Sequence, residues 1–195
     1  DCTVTGMEAH AGPTPMALRK DAMLAATRIM QDVVAAAHRH PPHGRGTVGM
    51  VQVFPNSRNV IPGRVKFSID LRNSTDALVD AMAAEVKAFA DQVAKEHGVQ
   101  VHIEMVSSYP AQLFQPECVE AVGRAAAKLG YSHMPAVSGA GHDAVYMAKL
   151  APSGMIFIPC KDGISHNEIE DAKPEHIEAG CNVLLHAMLE RASVV

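Results

Sequence analysis

The order of hydrophobic patterns in residues 1–106 constrains the fold more than any other feature of the chain. Alternating apolar and polar residues indicate strands, whereas apolar residues spaced three and four apart indicate a helix face. The resulting order, β-α-β-β-α-β, is typical of a ferredoxin-like unit, whose four-stranded antiparallel sheet carries both helices on one face. The predicted strands are 1–5, 47–54, 64–72 and 99–106. One helix is predicted to begin at Thr14-Pro15, and a second to begin at Ser74-Thr75-Asp76 and to end at Gly98.

Residues 107–195 show a different pattern, with helices predicted at 115–129 and from Pro174 onward. A short helix that ends at Leu150 is also expected. The continuous apolar segment 154–158 predicts a strand that is buried on both faces. So few strands cannot form a parallel sheet, so we expect their partners to lie elsewhere. The chain is therefore predicted to be α/β (α+β), with one domain at 1–106 and part of a second at 107–195.

Composition excludes several kinds of partner. Seventeen Lys and Arg against 21 Asp and Glu give a net charge of −4, so we expect no nucleic-acid partner. No apolar run reaches the ~18 residues of a membrane-spanning helix, and the first residues lack the basic and apolar regions of a signal peptide. The four cysteines form no CxxC pair, which favours a reducing compartment over a disulfide scaffold. These features predict a cytoplasmic protein.

Three polar residues near predicted strand ends are candidate ligand contacts. His10 precedes a tight turn and can present a ring N–H to a ligand oxygen, although a surface histidine would fit the same pattern. Asn59 lies in a loop between strands, where an ordinary turn residue is the alternative. Arg72 ends an alternating strand, and its planar guanidinium suits two-point contact with a carboxylate. The alternative for Arg72 is a solvated charge.

Two further histidines lie in loops of the second part. The Gly-rich turn 138–143 lacks both the GxGxxG spacing and the lysine of phosphate-binding loops. Its glycines instead favour close approach of a substrate to the backbone at Gly141, beside His142. His166 follows the predicted strand 154–158, and open α/β folds bind ligands at the carboxyl ends of their strands. A structural role is the alternative for His166.

The chain carries five motifs in a fixed order. Together they resemble the N-carbamoyl-L-amino-acid amidohydrolase, β-ureidopropionase and allantoate amidohydrolase branch of the M20 metallopeptidase family. Ala-Gly-His-Asp at 140–143 is the most discriminating of them, because the peptidase and aminoacylase branches usually carry a shorter Gly-Thr/Ser-Asp. The motifs are 9–16 with Arg19 and Asp21, 59–63, 70–72, 138–144, and 163–167 with Glu170.

The resemblance implies a domain architecture and a site. Members have a ferredoxin-like lid, which also forms a homodimer, inserted into a catalytic domain that holds two divalent metal ions (Zn, Mn, Co or Ni). Residues 1–106 correspond to the lid, and residues 107–195 correspond to the C-terminal portion of the catalytic domain. By the same resemblance, the lid residues that contact substrate are His10, Asn59 and Arg72, and His10 also stabilises the oxyanion. Gly141 and His142 are implied to contact substrate from the catalytic domain. His166 is implied to be a metal ligand.

The implied activity is hydrolysis of N-carbamoyl-L-amino acids to amino acid, ammonia and carbon dioxide by a metal-dependent hydrolase of non-peptide C–N bonds. In the family, an N-terminal half absent from this sequence supplies the other metal ligands and the general base. One histidine cannot hold a catalytic site of two metal ions, so we expect the chain alone to be inactive. An allantoate or N-acyl-amino-acid hydrolase, or a non-catalytic dimerisation and ligand-binding module, remains an alternative.

Overall fold

The computed structural model describes residues 1–192, which belong to two compact units. The first unit is Asp1–Ala111, and the second begins at Gln112. None of the helices among residues 1–192 combines the length and the hydropathy of a membrane-spanning segment. The strands are β1 (Cys2–Thr5), β2 (Ala9–His10), β3 (Arg45–Thr47), β4 (Val51–Phe54), β5 (Val60–Ile61), β6 (Arg64–Phe67), β7 (Asp70–Arg72) and β8 (Gln100–Ile103), and the helices are α1 (Ala22–Arg39), α2 (Asp76–His97), α3 (Pro116–Lys128), α4 (Asp143–Met147) and α5 (Pro174–Arg191).

A four-stranded antiparallel sheet forms the centre of the first unit, in the order β4-β6-β1-β8. Cys2 and Val4 of β1 lie opposite Phe67 and Val65 of β6, so their side chains share one face. All four side chains are fully buried in one core with the apolar faces of α1 and α2. The predicted ferredoxin-like arrangement is confirmed.

Helix α2 begins and ends where its sequence signals indicate. The Thr75 hydroxyl accepts the Leu78 N–H at 3.4 Å, which satisfies one of the free donors of the first turn. Gly98 ends the helix at φ 61°, in the left-handed region that favours glycine. Both boundaries depend on local chemistry, which explains why the pattern located them.

The predicted start of α1 at Thr14-Pro15 is wrong. Thr14 lies in a turn, where its hydroxyl donates to the His10 carbonyl oxygen at 2.6 Å. A single 3-10 turn follows, and the helix begins only at Ala22. Asp21 is the N-cap because its carboxylate accepts two backbone N–H groups, at 2.9 and 3.1 Å.

The predicted strands 47–54 and 64–72 are each split in two. Residues 48–50 lie opposite only two residues, 68–69, so the ladder slips by one residue, as in a β-bulge. The Ser68 hydroxyl and N–H both bond to the backbone of the bulged segment at 3.1 Å. Beyond the slip, β3 and β7 form a separate two-stranded ribbon.

A second slip separates the β1–β6 ladder from the ribbon β2–β5. Here residues 6–8 lie opposite only 62–63. Gly6 N–H donates to the Gly63 carbonyl oxygen at 2.8 Å. A Cβ on Gly6 would lie 2.0 Å from the Lys20 carbonyl oxygen, so this close approach requires glycine.

In the second unit, α3 packs against α5 around a small core. The predicted helices at 115–129 and from Pro174 correspond to α3 and α5, and α4 corresponds to the predicted short helix. The strand predicted at 154–158 does not form within the part of the chain that the structure describes, because no other segment there pairs with it. The core residues are Ala125, Ala126, Val183 and Ala187.

Candidate functional site

His10 and Asn59 are neighbours on the ribbon β2–β5. His10 lies opposite Val60, and Ala11 N–H donates to the Asn59 carbonyl oxygen at 2.8 Å. Both side chains are exposed. Asn59 Oδ1 accepts the Ser57 hydroxyl at 3.0 Å, which leaves Nδ2 as the donor that the Asn59 side chain can offer a ligand. The ribbon therefore presents a histidine and an amide donor together.

The His10 ring is oriented by its own turn. Gly12 N–H donates to His10 Nδ1 at 3.0 Å, so Nδ1 acts as an acceptor. In a neutral imidazole whose Nδ1 accepts, the proton lies on Nε2, which is then a donor. The turn therefore gives His10 the tautomer that an oxyanion-binding histidine requires.

Arg72 is held by its neighbour on the same strand. Its Nε and Nη2 donate to the two carboxylate oxygens of Asp70, at 2.9 and 2.7 Å. This hydrogen bonding lowers the pKa of Asp70 below its ordinary value. Each side chain is 48% exposed, so the pair orients the guanidinium at the surface. One edge of the Arg72 guanidinium thus makes a two-point contact with the Asp70 carboxylate. This is the same type of contact that the sequence suggests for a ligand carboxylate.

The two ribbons lie at opposite ends of β6. β5 leads into the start of β6, and β7 follows its end, each across a slip of the ladder. The four residues of β6 alone span roughly 10 Å at the ~3.3 Å rise of a strand. One copy of the first unit therefore presents His10 and Asn59 from one end of the sheet and Arg72 from the other.

The Gly-rich turn of the second unit has open space beside the Cα atoms of two of its glycines. A Cβ on Gly139 or Gly141 would meet no atom within 4 Å, and neither glycine has a positive φ. The fold of this unit therefore does not require glycine there, which is consistent with a turn that a ligand approaches closely. The exposed His142 is the N-cap of α4, and its Nδ1 accepts the Ala144 N–H at 3.3 Å.

His166 lies in a strained, exposed loop. Its φ of 58° is in the left-handed region, which non-glycine residues rarely adopt. Its N–H donates to Glu170 Oε2 at 2.9 Å, and Glu170 N–H donates to the Asn167 carbonyl oxygen at 3.0 Å. These bonds hold the loop in the conformation that presents the imidazole.

The described residues do not fit a metal site on their own. Between residues 1 and 192, no three His, Cys, Asp or Glu side chains lie close enough together to hold a metal ion. A catalytic zinc site takes three protein ligands. Any metal that His166 contacts would therefore require ligands from outside this range.

No role was predicted for Arg19 or Asp70, although both lie in the motifs. Asp70 carried a readable signal, since opposite charges two residues apart share a strand face. Arg19 had no such signal in the sequence. Its three hydrogen bonds go to backbone oxygens of Ala11 and Thr14, which no particular side chain marks.

Comparison with known proteins identifies the family. Residues 5–190 match the peptidase family M20/M25/M40. The chain belongs to this family. It is 48% identical over 193 residues to the N-carbamoyl-L-amino-acid amidohydrolase of Rhizobium meliloti, a match that covers 99% of the chain and 46% of that protein. The resemblance drawn from the motifs is thus confirmed.

Other M20 relatives agree on the fold and on the extent of the match. An amidase of the hydantoinase/carbamoylase family from Burkholderia multivorans has a TM-score of 0.92 at 54% identity, over 98% of the chain and 46% of that structure. The allantoate amidohydrolase of Bacillus subtilis is 30% identical, over 97% of the chain and 46% of that protein. The chain spans about half the length of the curated relatives it matches.

Proposed function

We propose that the protein to which this chain belongs hydrolyses N-carbamoyl-L-amino acids to the amino acid, ammonia and carbon dioxide. The observation that carries this proposal is the 48% identity to an amidohydrolase of that name over 99% of the chain. The exposed ribbons add donors suited to such a substrate, which has a ureido oxygen at one end and a carboxylate at the other. The first unit would act as the lid, and the second as part of the catalytic domain.

His10 is proposed as the catalytic donor to the ureido oxygen. As water attacks the ureido carbon, that oxygen gains negative charge, and a positioned N–H stabilises the charge. The Gly12 contact leaves His10 Nε2 as this donor. Asn59 Nδ2 lies on the same ribbon and would bind the substrate beside it.

Arg72 is proposed to bind the amino-acid carboxylate. Its positive charge and planar fork would fix that end of the substrate and so orient the scissile bond. Asp70 would hold the fork at a fixed angle. In the second unit, Gly141 and His142 would contact the substrate through the open turn.

A substrate that contacts both His10 and Arg72 requires two copies of the lid. One copy presents the two residues from opposite ends of its sheet, and an N-carbamoyl amino acid is a small molecule. We therefore propose a homodimer, in which His10 and Asn59 of one copy and Arg72 of the other serve the same substrate. Closed twofold dimers are the commonest homo-oligomers, so such a site needs no special assembly.

Metal dependence is also proposed for the whole protein. Two divalent ions, of Zn, Mn, Co or Ni, would be held with His166 as one ligand. The other ligands would come from beyond the described residues, because residues 1–192 do not bring three candidate ligands together. The 195-residue chain alone is then expected to be inactive.

Allantoate hydrolysis is the second candidate, because the Bacillus subtilis allantoate amidohydrolase is 30% identical to the chain. The test is ammonia release by the full-length protein, supplied with Zn, Mn, Co or Ni, from N-carbamoyl-L-amino acids and from allantoate. N-acyl amino acids are assayed by release of the free amino acid. A higher kcat/KM on an N-carbamoyl-L-amino acid supports the proposal, and a higher value on either of the others contradicts it. Equal hydrolysis by the 195-residue chain would refute its dependence on the remaining sequence.

A further inference from the structure

The Arg19 side chain forms hydrogen bonds with the backbone of the turn that carries His10. Its Nη2 donates to the Ala11 carbonyl oxygen at 2.7 Å and to that of Thr14 at 3.0 Å. Its Nε donates to the same Thr14 oxygen at 3.1 Å. The guanidinium is partly buried, and hydrogen bonds from a charged donor are stronger than neutral ones.

The bonded carbonyl groups flank the donor that orients His10. Gly12 lies between Ala11 and Thr14, and its N–H is the group that bonds His10 Nδ1. Gly12 itself is exposed, and a Cβ placed on it would lie 3.4 Å from the His10 ring. The direction of the Gly12 N–H therefore depends on how firmly the flanking carbonyl groups are held.

Arg19 is itself anchored to the rest of the unit. Its N–H donates to the Met16 carbonyl oxygen at 3.3 Å, at the end of the 3-10 turn. Two residues later, Asp21 caps α1, and Lys20 accepts a backbone bond from Met7 at 2.9 Å. Arg19 thus connects the exposed turn to the segment that leads into α1, one face of which is buried in the core.

We propose that Arg19 is a positioning residue that keeps the His10 proton on Nε2 by fixing the turn whose Gly12 N–H bonds His10 Nδ1. Lysine cannot replace it, because a single ammonium does not reproduce a planar fork that serves two carbonyl oxygens. The consequence for catalysis rests on the proposed oxyanion-binding function of His10. The consequence for the tautomer does not.

The first experiment measures the His10 tautomer by NMR of the 195-residue chain labelled with ¹⁵N-histidine. His10→Gln identifies the His10 signals among those of the 11 histidines. At alkaline pH, where an ordinary imidazole is neutral, wild type is expected to show an unprotonated Nδ1 and a protonated Nε2. In Arg19→Lys, the ratio of the Nε2–H to the Nδ1–H form should fall about tenfold, the factor for about 1.4 kcal/mol, on the scale of one hydrogen bond.

Arg45→Lys is the matched control. Arg45 also holds a turn through two carbonyl oxygens, those of Pro42 and Gly44, at 3.1 and 2.8 Å, but on a different ribbon. Its substitution should leave the His10 signals unchanged. An unchanged tautomer ratio in Arg19→Lys, or a wild-type Nδ1 that carries the proton, overturns the proposal. Loss of folding in Arg19→Lys alone would make Arg19 a folding residue and would also overturn it.

The second experiment measures kinetics of the full-length protein. Arg19→Lys should lower kcat about tenfold and leave KM within about twofold, because the oxyanion forms only in the transition state. A rise in KM with unchanged kcat overturns a positioning role through His10. If wild type hydrolyses none of the tested substrates, the proposed function fails, while the NMR comparison still decides whether Arg19 sets the tautomer.

Discussion

Replacement of Arg72 by lysine tests whether Arg72 binds the substrate or is only a solvated surface charge. Lysine keeps the positive charge and loses the two-point geometry. In the free protein, the change weakens the contact with Asp70. Both side chains of that pair are 48% exposed, and exposed pairs contribute about 0.2–1 kcal/mol. The free energy of unfolding of Arg72→Lys should therefore fall by less than about 1 kcal/mol.

Arg72→Lys should lower kcat/KM by a larger free-energy equivalent than it lowers the free energy of unfolding. Hydrogen bonds to charged groups contribute about 1.5–3 kcal/mol, so loss of the fork against a substrate carboxylate corresponds to a tenfold to hundredfold fall in kcat/KM. The assay compares an N-carbamoyl amino acid with its amide, which lacks the carboxylate. Arg72→Lys should lose activity on the acid and change little on the amide.

Arg124→Lys provides the matched control for this comparison. Arg124 also directs Nε and Nη2 at one carboxylate, that of Glu190, at 3.1 and 2.6 Å, and it is 55% exposed in the second unit. Its substitution should leave kcat/KM unchanged for both substrates. Equal losses on the acid and the amide in Arg72→Lys would show that Arg72 does not bind the carboxylate.

Three further predictions concern the chain itself. The first unit should dimerise, because the outer strands of its sheet, β4 and β8, need covering; a monomer by sedimentation at high micromolar concentration would contradict this. Burial raises the pKa of the Cys2 thiol to about 12, so a thiol reagent at neutral pH should modify exposed Cys181 and spare Cys2 until the chain unfolds; mass spectrometry showing equal rates would refute it. Since the pKa of Asp70 is lowered, its pair with Arg72 stabilises the fold at neutral pH, and this contribution is lost as the pH falls through the lowered pKa. The difference in urea stability between wild type and Asp70→Asn should therefore shrink in acid, and a constant difference would contradict it.

The sequence predicted those parts of the fold that local chemistry determines. Strand alternation located the central sheet, and Thr75 and Gly98 marked both ends of α2. The start of α1 was misplaced because two cap signals compete, and Thr14 bonds to the His10 carbonyl oxygen instead of capping. Propensity alone does not rank such alternatives.

The parts that the sequence did not predict depend on pairing between distant segments. Both register slips arise where two ladders meet, so a strand read by itself, such as 64–72, looks continuous. Those slips separate the ribbons that carry His10 and Arg72. The motifs therefore identified these residues as candidates but did not predict how they are placed relative to each other. The apolar segment 154–158 predicted a strand, but it finds no pairing partner among the described residues.

Mixing two single variants of the full-length protein tests the shared site most directly. His10→Ala and Arg72→Ala should each be nearly inactive on an N-carbamoyl-L-amino acid. In a randomly reassorted mixture, half of the dimers are mixed, and each mixed dimer regains one site with both residues intact. Ammonia release should therefore return to about a quarter of the wild-type rate. A mixture that stays as inactive as its components, although mixed dimers have formed, would contradict a substrate site built from His10 of one copy and Arg72 of the other.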